Sequence, residues 1–218
     1  MSDAATRLAE VRDQIARAAK AARRKPDEVT LVAVTKQRTS SEIEPLIAAG
    51  VADFGENRVP EVAEKWPALH ARHPDLRLHM IGRLQSNKAD EAVALFDIIH
   101  SLDRPSLLDA LVKAGEKAAR FPQVYVQVNI GAEEQKGGVA IDDLPAFLDR
   151  VRATPLPLAG LMAMPPLGWQ PGPYFALLAE LARRHGVTGL SMGMSSDYPT
   201  AVMLGATAIR VGSALFED

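Results

Sequence analysis

The chain has 218 residues, 47% of them hydrophobic and 24% charged, which is enough apolar material for a sizeable core beneath a hydrated surface. Its 27 acidic and 25 basic residues leave a formal net charge of −2, so there is no electrostatic reason to expect nucleic acid or an anionic membrane as a partner. With no cysteine, it is excluded from disulfide bonding, thiolate catalysis and Cys-ligated zinc.

The first 25 residues read as an amphipathic helix. Leu8, Val11, Ile15, Ala18 and Ala22 recur at three- and four-residue steps, with Arg and Lys between them. Its Ala and Arg content is that of a transit peptide, but Asp3, Glu10, Asp13 and the lack of a continuous apolar stretch argue for an ordinary packing helix. No segment approaches the roughly 20 apolar residues of a membrane span. A cytoplasmic location is the default expectation.

Beyond that helix the pattern alternates. Apolar runs, often β-branched, predict strands at 29–35, 51–54, 76–81, 96–101 and 123–130, and fainter runs predict three more at 156–162, 188–192 and 206–211. Several are apolar on both faces, as strands covered on both sides must be. Helices are predicted at 40–49, 56–71, 87–94, 105–119, 144–153, 174–185 and 198–204. Ser40 and Ser41 offer a cap for the first, Asp103 with Pro105 marks another start, and Gly50, Gly186 and Gly205 sit where helices should stop. Eight such units predict an α/β fold, a (β/α)8 TIM barrel with an extra N-terminal helix, in one domain spanning residues 1–218. An open doubly wound sheet is the alternative. The Pro/Gly-rich stretch 164–173 reads as a βα loop on the active face.

Lys36 directly follows the first apolar strand, which places it at the functional mouth of a barrel. Partial burial there would lower its pKa and supply the neutral amine that Schiff-base chemistry requires. At the other end of the chain, Met192-Gly193-Met194-Ser195 and Arg210-Val211-Gly212-Ser213 form two small-residue turns. By count they follow strands seven and eight, the usual phosphate site of barrels, where close backbone N–H groups and hydroxyls receive an anion. Either turn alone reads as a tight turn; facing a strand-one lysine, the two read as a binding site.

These stretches resemble the pyridoxal phosphate homeostasis protein family, whose barrel is similar to the N-terminal domain of alanine racemase. The matching motifs are VAVTK at 32–36, FGENRV at 54–59, HMIGRLQSNK at 79–88, VNI at 128–130, KGGV at 136–139, GLMAMPP at 160–166, LSMGMSSD at 190–197 and IRVGSALF at 209–216. They cover nearly the whole chain in the family's order. The resemblance implies that pyridoxal 5′-phosphate (PLP) is held as a Schiff base on Lys36. Ser195, Gly212 and Ser213, with the Met194 backbone, would then hold the phosphate, and Arg210 would face the pyridine nitrogen. Asn57, Met162 and His79 would lie near the cofactor. Two departures stand out: Leu78 occupies a position where the family often has Trp, and Ser196 replaces an acidic residue beside the phosphate turn.

The resemblance also bears on mechanism. A guanidinium has no acceptor and keeps its charge, so Arg210 favours an unprotonated ring nitrogen and weakens carbanion stabilisation. Racemases with this barrel take a catalytic tyrosine from a second domain. All three tyrosines here precede residue 199, and the chain stops where the barrel closes. The expectation is therefore an intracellular PLP carrier serving homeostasis, with no catalytic residue and no robust turnover. PLP-dependent apoenzymes are the expected partners, and a monomer is favoured over a weak dimer. A low-activity PLP-dependent amino-acid racemase is the alternative, and a Schiff-base aldolase or phosphosugar isomerase without PLP is a third reading.

Other features carry less. His70 and His73 are spaced to share a metal but lack a convergent third ligand, so a solvated helix face is the better reading and no metal is expected. Lys88 and Lys136 lie in loops after strands and read as exposed charges, with PLP relay as the alternative.

Overall fold

The computed structural model describes residues 4–133 and 135–216. Eight parallel strands close into a barrel in chain order: β1 (Thr30–Val34), β2 (Asp53–Glu56), β3 (Arg77–Met80), β4 (Ile98–Leu102), β5 (Gln123–Gln127), β6 (Leu158–Met162), β7 (Gly189–Met194) and β8 (Ala208–Val211). β1 pairs with β2 on one side and β8 on the other, with Ala33 opposite both Phe54 and Val211, which closes the ring and removes the open-sheet alternative. Nine helices are described: α1 (Ala4–Ala21), α2 (Ser40–Ala48), α3 (Val59–Arg72), α4 (Ala89–Leu95), α5 (Pro105–Ala118), α6 (Leu144–Arg152), α7 (Gly172–Arg184), α8 (Tyr198–Met203) and α9 (Ser213–Phe216).

Most boundaries follow the sequence pattern, and the exceptions have local causes. Gly50, Gly186 and Gly205 take φ of 81°, 63° and 102° just past α2, α7 and α8, a conformation that stops a helix at little cost only for glycine. The cap of α2 is Thr39 rather than Ser40 or Ser41, because Glu42 reaches back to accept from its backbone N–H at 2.8 Å. Glu56, expected to open a helix, instead ends β2 fully buried, and α3 starts three residues later with Pro60 in its first turn. The single turn of α9, absent from the sequence expectation, immediately follows Gly212.

The main core lies between barrel and helices. Phe54, Trp66, Leu78, Phe96, Ile99, Leu161, Phe175 and Ile209 belong to one continuous apolar cluster there. Val32, Ile98, Met162 and Ala208 are buried apart from it. The barrel interior is otherwise unusually polar, since His79, His100, Ser191 and Arg210 are all buried where branched apolar layers are the norm.

α9 is only one turn long, and α1 packs beside it in the helical layer. It packs against α8, α9 and α2 through Leu8, Val11, Ile15, Ala18 and Ala19. Polar groups on and just after α1 also satisfy carbonyls at the ends of those helices. Arg12 donates to Ala49 O at 3.1 Å and Gly50 O at 3.2 Å, Arg24 to Val202 O at 2.9 Å, and Arg7 to Leu215 O at 3.1 Å. The N-terminal helix is thus structural. Ile15→Ala is expected to cost about 2–5 kcal/mol, read from the midpoint and slope of denaturant unfolding.

Candidate cofactor site

Strand ends position the site. A cleft of about 510 Å³ opens at the C-terminal mouth, lined by Val34, Lys36, Asn57, Ile81, Met164, Met194, Ser195, Ser196, Arg210, Gly212 and Ser213. Seven of the nine residues singled out from sequence converge here: Lys36, Asn57, Met194, Ser195, Arg210, Gly212 and Ser213. Its volume is in the range of small-molecule sites. His79 and Met162 are not among the lining residues; both are buried within the barrel.

Lys36 stands two residues past the end of β1 and is exposed, so the partial burial expected of it is not found. Its placement comes from the turn that carries it. Gln37 adopts φ of 62°, a left-handed conformation that turns the chain away at once. A buried cluster holds that turn from beneath. Lys65 Nζ donates to Thr35 O and Arg38 O, each at 3.0 Å, and lies 2.6 Å from Glu56 Oε1. Glu56 Oε1 also accepts from Thr35 Oγ1 at 2.7 Å and from Trp66 Nε1 at 3.1 Å. The two carbonyls clamped by Lys65 flank the Lys36–Gln37 step. Removing one charge of this pair strands the other in the core.

Across the cleft, the turns after β7 and β8 are tied together by one hydroxyl. Ser195 Oγ accepts from Gly212 N–H at 3.1 Å and Ala214 N–H at 3.4 Å. Gly212 has no room for a side chain without displacing Val34, since a Cβ there would sit 3.3 Å from Val34 Cβ. Ser195, Gly212 and Ser213 thus line one small concavity with hydroxyls that suit an anion, while the Gly212 and Ala214 N–H groups are engaged by Ser195 Oγ. The Met194 N–H is turned aside and donates to Asp197 Oδ1 at 2.6 Å, so Met194 meets the cleft through its side chain. Asn57 Oδ1 is buried and has no hydrogen-bond partner among the described residues.

Arg210 forms the inner wall. Its Nη2 donates to Ala163 O at 3.2 Å and its Nη1 to Ser191 Oγ. Burial draws the guanidinium down to about 10, against the opposing pull of Asp197 and Tyr125, and it remains cationic at neutral pH. Beneath it, Ser191 Oγ lies 2.7 Å from His100 Nδ1, His100 Nε2 lies 2.9 Å from His79 Nδ1, and His79 Nε2 lies 2.8 Å from Asp53 Oδ1. Arg77 Nη2 donates to Asp53 Oδ2 at 2.8 Å. β4 and β7 are not neighbours in the ring, so the His100–Ser191 bond spans the interior. Tyr125 stacks on His100 at 4.5 Å, in space left by Gly160, where a Cβ would come within 2.6 Å of the Tyr125 ring. Burial, then the proximity of His79 and Arg210, pushes His100 well below its ordinary 6.5. Burial alone would raise Asp53, but hydrogen bonds from His79 and Arg77 outweigh it and hold the carboxyl below its ordinary value.

The remaining sequence candidates lie elsewhere. His73 pairs with Glu44 at 3.2 Å and His70 packs on Trp66, so the two do not share a ligand position. Lys88 pairs with Glu91, and Lys136 with Glu133 while also donating to Pro165 O. On the loop following Met164, Leu167 is 95% exposed and Trp169 70%. Sequence reading missed His100, Ser191 and Asp53, although a polar residue inside an otherwise apolar strand is itself a sign that a partner lies within the barrel. It also missed Lys65, which nothing in the helical periodicity of α3 sets apart.

Comparison with known proteins first defines the class. The family model for the N-terminal domain of alanine racemase matches residues 7–218. Alanine racemase from Corynebacterium glutamicum shares the fold, with a TM-score of 0.63 at 20% identity over 94% of this chain and 60% of that one. Closer similarity then narrows it. The pyridoxal phosphate homeostasis proteins of Deinococcus radiodurans and Synechocystis are 41% and 39% identical, covering 96% and 88% of this chain and 97% and 93% of theirs. PipY of Synechococcus elongatus, solved with PLP bound, superposes with a TM-score of 0.85 at 39% identity over 98% of this chain and 100% of that one. The chain belongs to the pyridoxal phosphate homeostasis protein family.

The buried imidazole of His100 sets a pH dependence. The unfolded chain takes up a proton on this residue near 6.5, whereas the folded chain resists it, so stability is full above 6.5 and is lost as pH falls towards the lower folded value. The expected loss is about 1.4 kcal/mol per pH unit within that window. Denaturant unfolding between about pH 7.5 and 5 should show this slope in the wild type and a flatter one in His100→Gln.

Lys65→Met is expected to cost about 3–5 kcal/mol by stranding Glu56, a loss that Lys65→Met combined with Glu56→Gln should partly restore in thermal or denaturant melts.

Proposed function

We propose that this protein binds PLP reversibly at the C-terminal mouth of its barrel, with Lys36 as the Schiff-base residue, and serves PLP homeostasis without robust turnover. The observation that carries the reading is the convergence of Lys36, Arg210 and the Ser195–Gly212–Ser213 turn on one cleft. The residues present fit the cofactor. An amine, the hydroxyls of Ser195 and Ser213, a cation at the inner wall and the unpartnered Asn57 Oδ1 each match a group that PLP carries. When bound, PLP supplies an aldehyde that condenses with a primary amine to give a Schiff base and water. The similarity to pyridoxal phosphate homeostasis proteins and to PLP-bound PipY supports the same assignment.

The chain's own groups explain why holding is favoured over chemistry. Lys36 is presented by a turn clamped through Lys65, so its amine is directed without being locked in an ion pair. Ser195, Gly212 and Ser213 orient an anionic group opposite it. Arg210, a permanent donor, offers no carboxylate to keep a ring nitrogen protonated, so the pull that drives transamination or decarboxylation is weak. A racemase further needs a proton donor and acceptor on opposite faces of its substrate. None of the three tyrosines lines the cleft: Tyr125 stacks within the barrel, Tyr198 donates to Gln14, and Tyr174 lies on α7. PLP-dependent apoenzymes are the natural recipients in this reading, and one barrel domain is sufficient for it.

Mixing the purified protein with PLP should produce a visible absorption band and, after borohydride, a covalent mass increase on Lys36. Lys36→Ala should lose both, and an undiminished reducible adduct in that variant would remove Lys36 from the role. Chiral analysis after incubation with a panel of L-amino acids should show no turnover above that of free PLP; clear excess turnover would favour a racemase.

A further inference from the structure

The buried polar chain beneath Arg210 is not used by the proposed holding of PLP, yet it is highly constrained. It runs Arg210–Ser191–His100–His79–Asp53–Arg77 and joins the two mouths of the barrel. Arg210 lines the cleft at the C-terminal ends of the strands, while Asp53 lines a separate cleft of about 420 Å³ at the N-terminal ends of β1 and β2, with Thr30, Leu31 and Gly50.

Counting donors and acceptors fixes its direction. Arg210 can only donate, so Ser191 Oγ accepts from Nη1 and its own hydrogen is free to point at His100 Nδ1. His100 then carries its proton on Nε2 and donates to His79 Nδ1, and His79 carries its proton on Nε2 and donates to Asp53 Oδ1. Arg77 completes the carboxylate at Oδ2. In this arrangement every contact has one donor and one acceptor, with single-proton imidazoles throughout. In the reverse orientation the Ser191 oxygen would accept from both Arg210 and His100, and its hydrogen would have no acceptor among the hydrogen bonds of the described residues. The ionised Asp53, held by Arg77 at one end, and the guanidinium at the other select the same direction.

We infer that Ser191 and His100 are positioning residues for Arg210, and that His79 and Asp53 lock their hydrogen-bond direction from the opposite mouth of the barrel. Only the group that Arg210 faces rests on the PLP reading; the chain and its direction belong to the protein without ligand. Its function is to hold a buried cation in one orientation at the inner wall of the cofactor cleft. Removal of the Ser191 hydroxyl frees one guanidinium nitrogen and leaves His100 Nδ1 without its donor, so the disturbance should reach both the cleft and the barrel interior.

The test has two arms. Long-range nitrogen–proton NMR of the histidine-labelled apo protein at neutral pH should show His79 and His100 both as the Nε2–H tautomer. An Nδ1–H tautomer or a doubly protonated ring at either position would overturn the direction. In the second arm, Ser191→Ala should still unfold in one cooperative transition, at a lowered midpoint, while weakening PLP roughly tenfold, displacing the visible band and shifting the His100 nitrogen signals. Unchanged affinity and spectrum in folded Ser191→Ala would overturn the positioning role. If that variant fails to fold, Ser191→Thr, which keeps the hydroxyl, should retain the wild-type band, and a displaced band there would count against the role. Failure of the PLP reading would appear separately, as absence of any Lys36 adduct in the wild type, and the NMR arm would still decide the chain's direction.

Discussion

A guanidinium buried inside a closed barrel dictates much of what surrounds it. The desolvated charge of Arg210 must be met by acceptors, and among the described residues Ser191 and Ala163 supply them directly. Engaging the serine leaves its hydroxyl hydrogen to be satisfied, which calls for an imidazole, and that imidazole calls for another until Asp53 ends the sequence near solvent. The two histidines, the stacked Tyr125 and the missing side chain at Gly160 follow from that first requirement. A barrel filled with branched apolar layers could not host this cation. Polarity in the interior is therefore part of how the mouth of the barrel is built.

The opposite wall solves a different problem. Lys36 is exposed, yet the turn that carries it is held from beneath. The order lies one layer down: a fully buried carboxylate and a nearly buried lysine fix the carbonyls on both sides of the Lys36–Gln37 step. The buried pair itself is a weak source of net stability, because desolvation offsets most of its Coulombic gain. Its value is geometric. Rigidity is supplied by Glu56 and Lys65, and the Lys36 side chain remains free of any ion pair among the described residues.

These features were unevenly legible in the sequence. The order of strands and helices could be read because their apolar faces repeat locally, and the small-residue turns after β7 and β8 announced themselves by composition. Lys36, Arg210 and the Ser195–Gly212–Ser213 turn were legible in the same way, since strand ends bring them to one mouth. The interior chain was not. His79, His100 and Ser191 stand on three different strands, the bonded pair His100 and Ser191 lying 91 positions apart, and their meeting depends on barrel closure and register, which no local pattern encodes. Glu56 was misread for a related reason: following glycine and preceding Asn-Arg-Val, it looks like a helix start, whereas its pairing with Met80 and its bonds to Thr35, Lys65 and Trp66 hold it in the strand.

The helix α1 has a consequence for how the chain reaches this state. It is synthesised well before α8 and α9, which provide most of the cover of its apolar stripe. Through synthesis Leu8, Val11 and Ile15 must therefore remain exposed or find temporary cover. Contacts between elements so far apart carry a large loop-closure cost and form late. Docking of α1 onto α8 and α9 thus completes the helical layer only after both have been made. A polypeptide released before α8 is made would present that stripe to any passing apolar surface, including a second nascent chain.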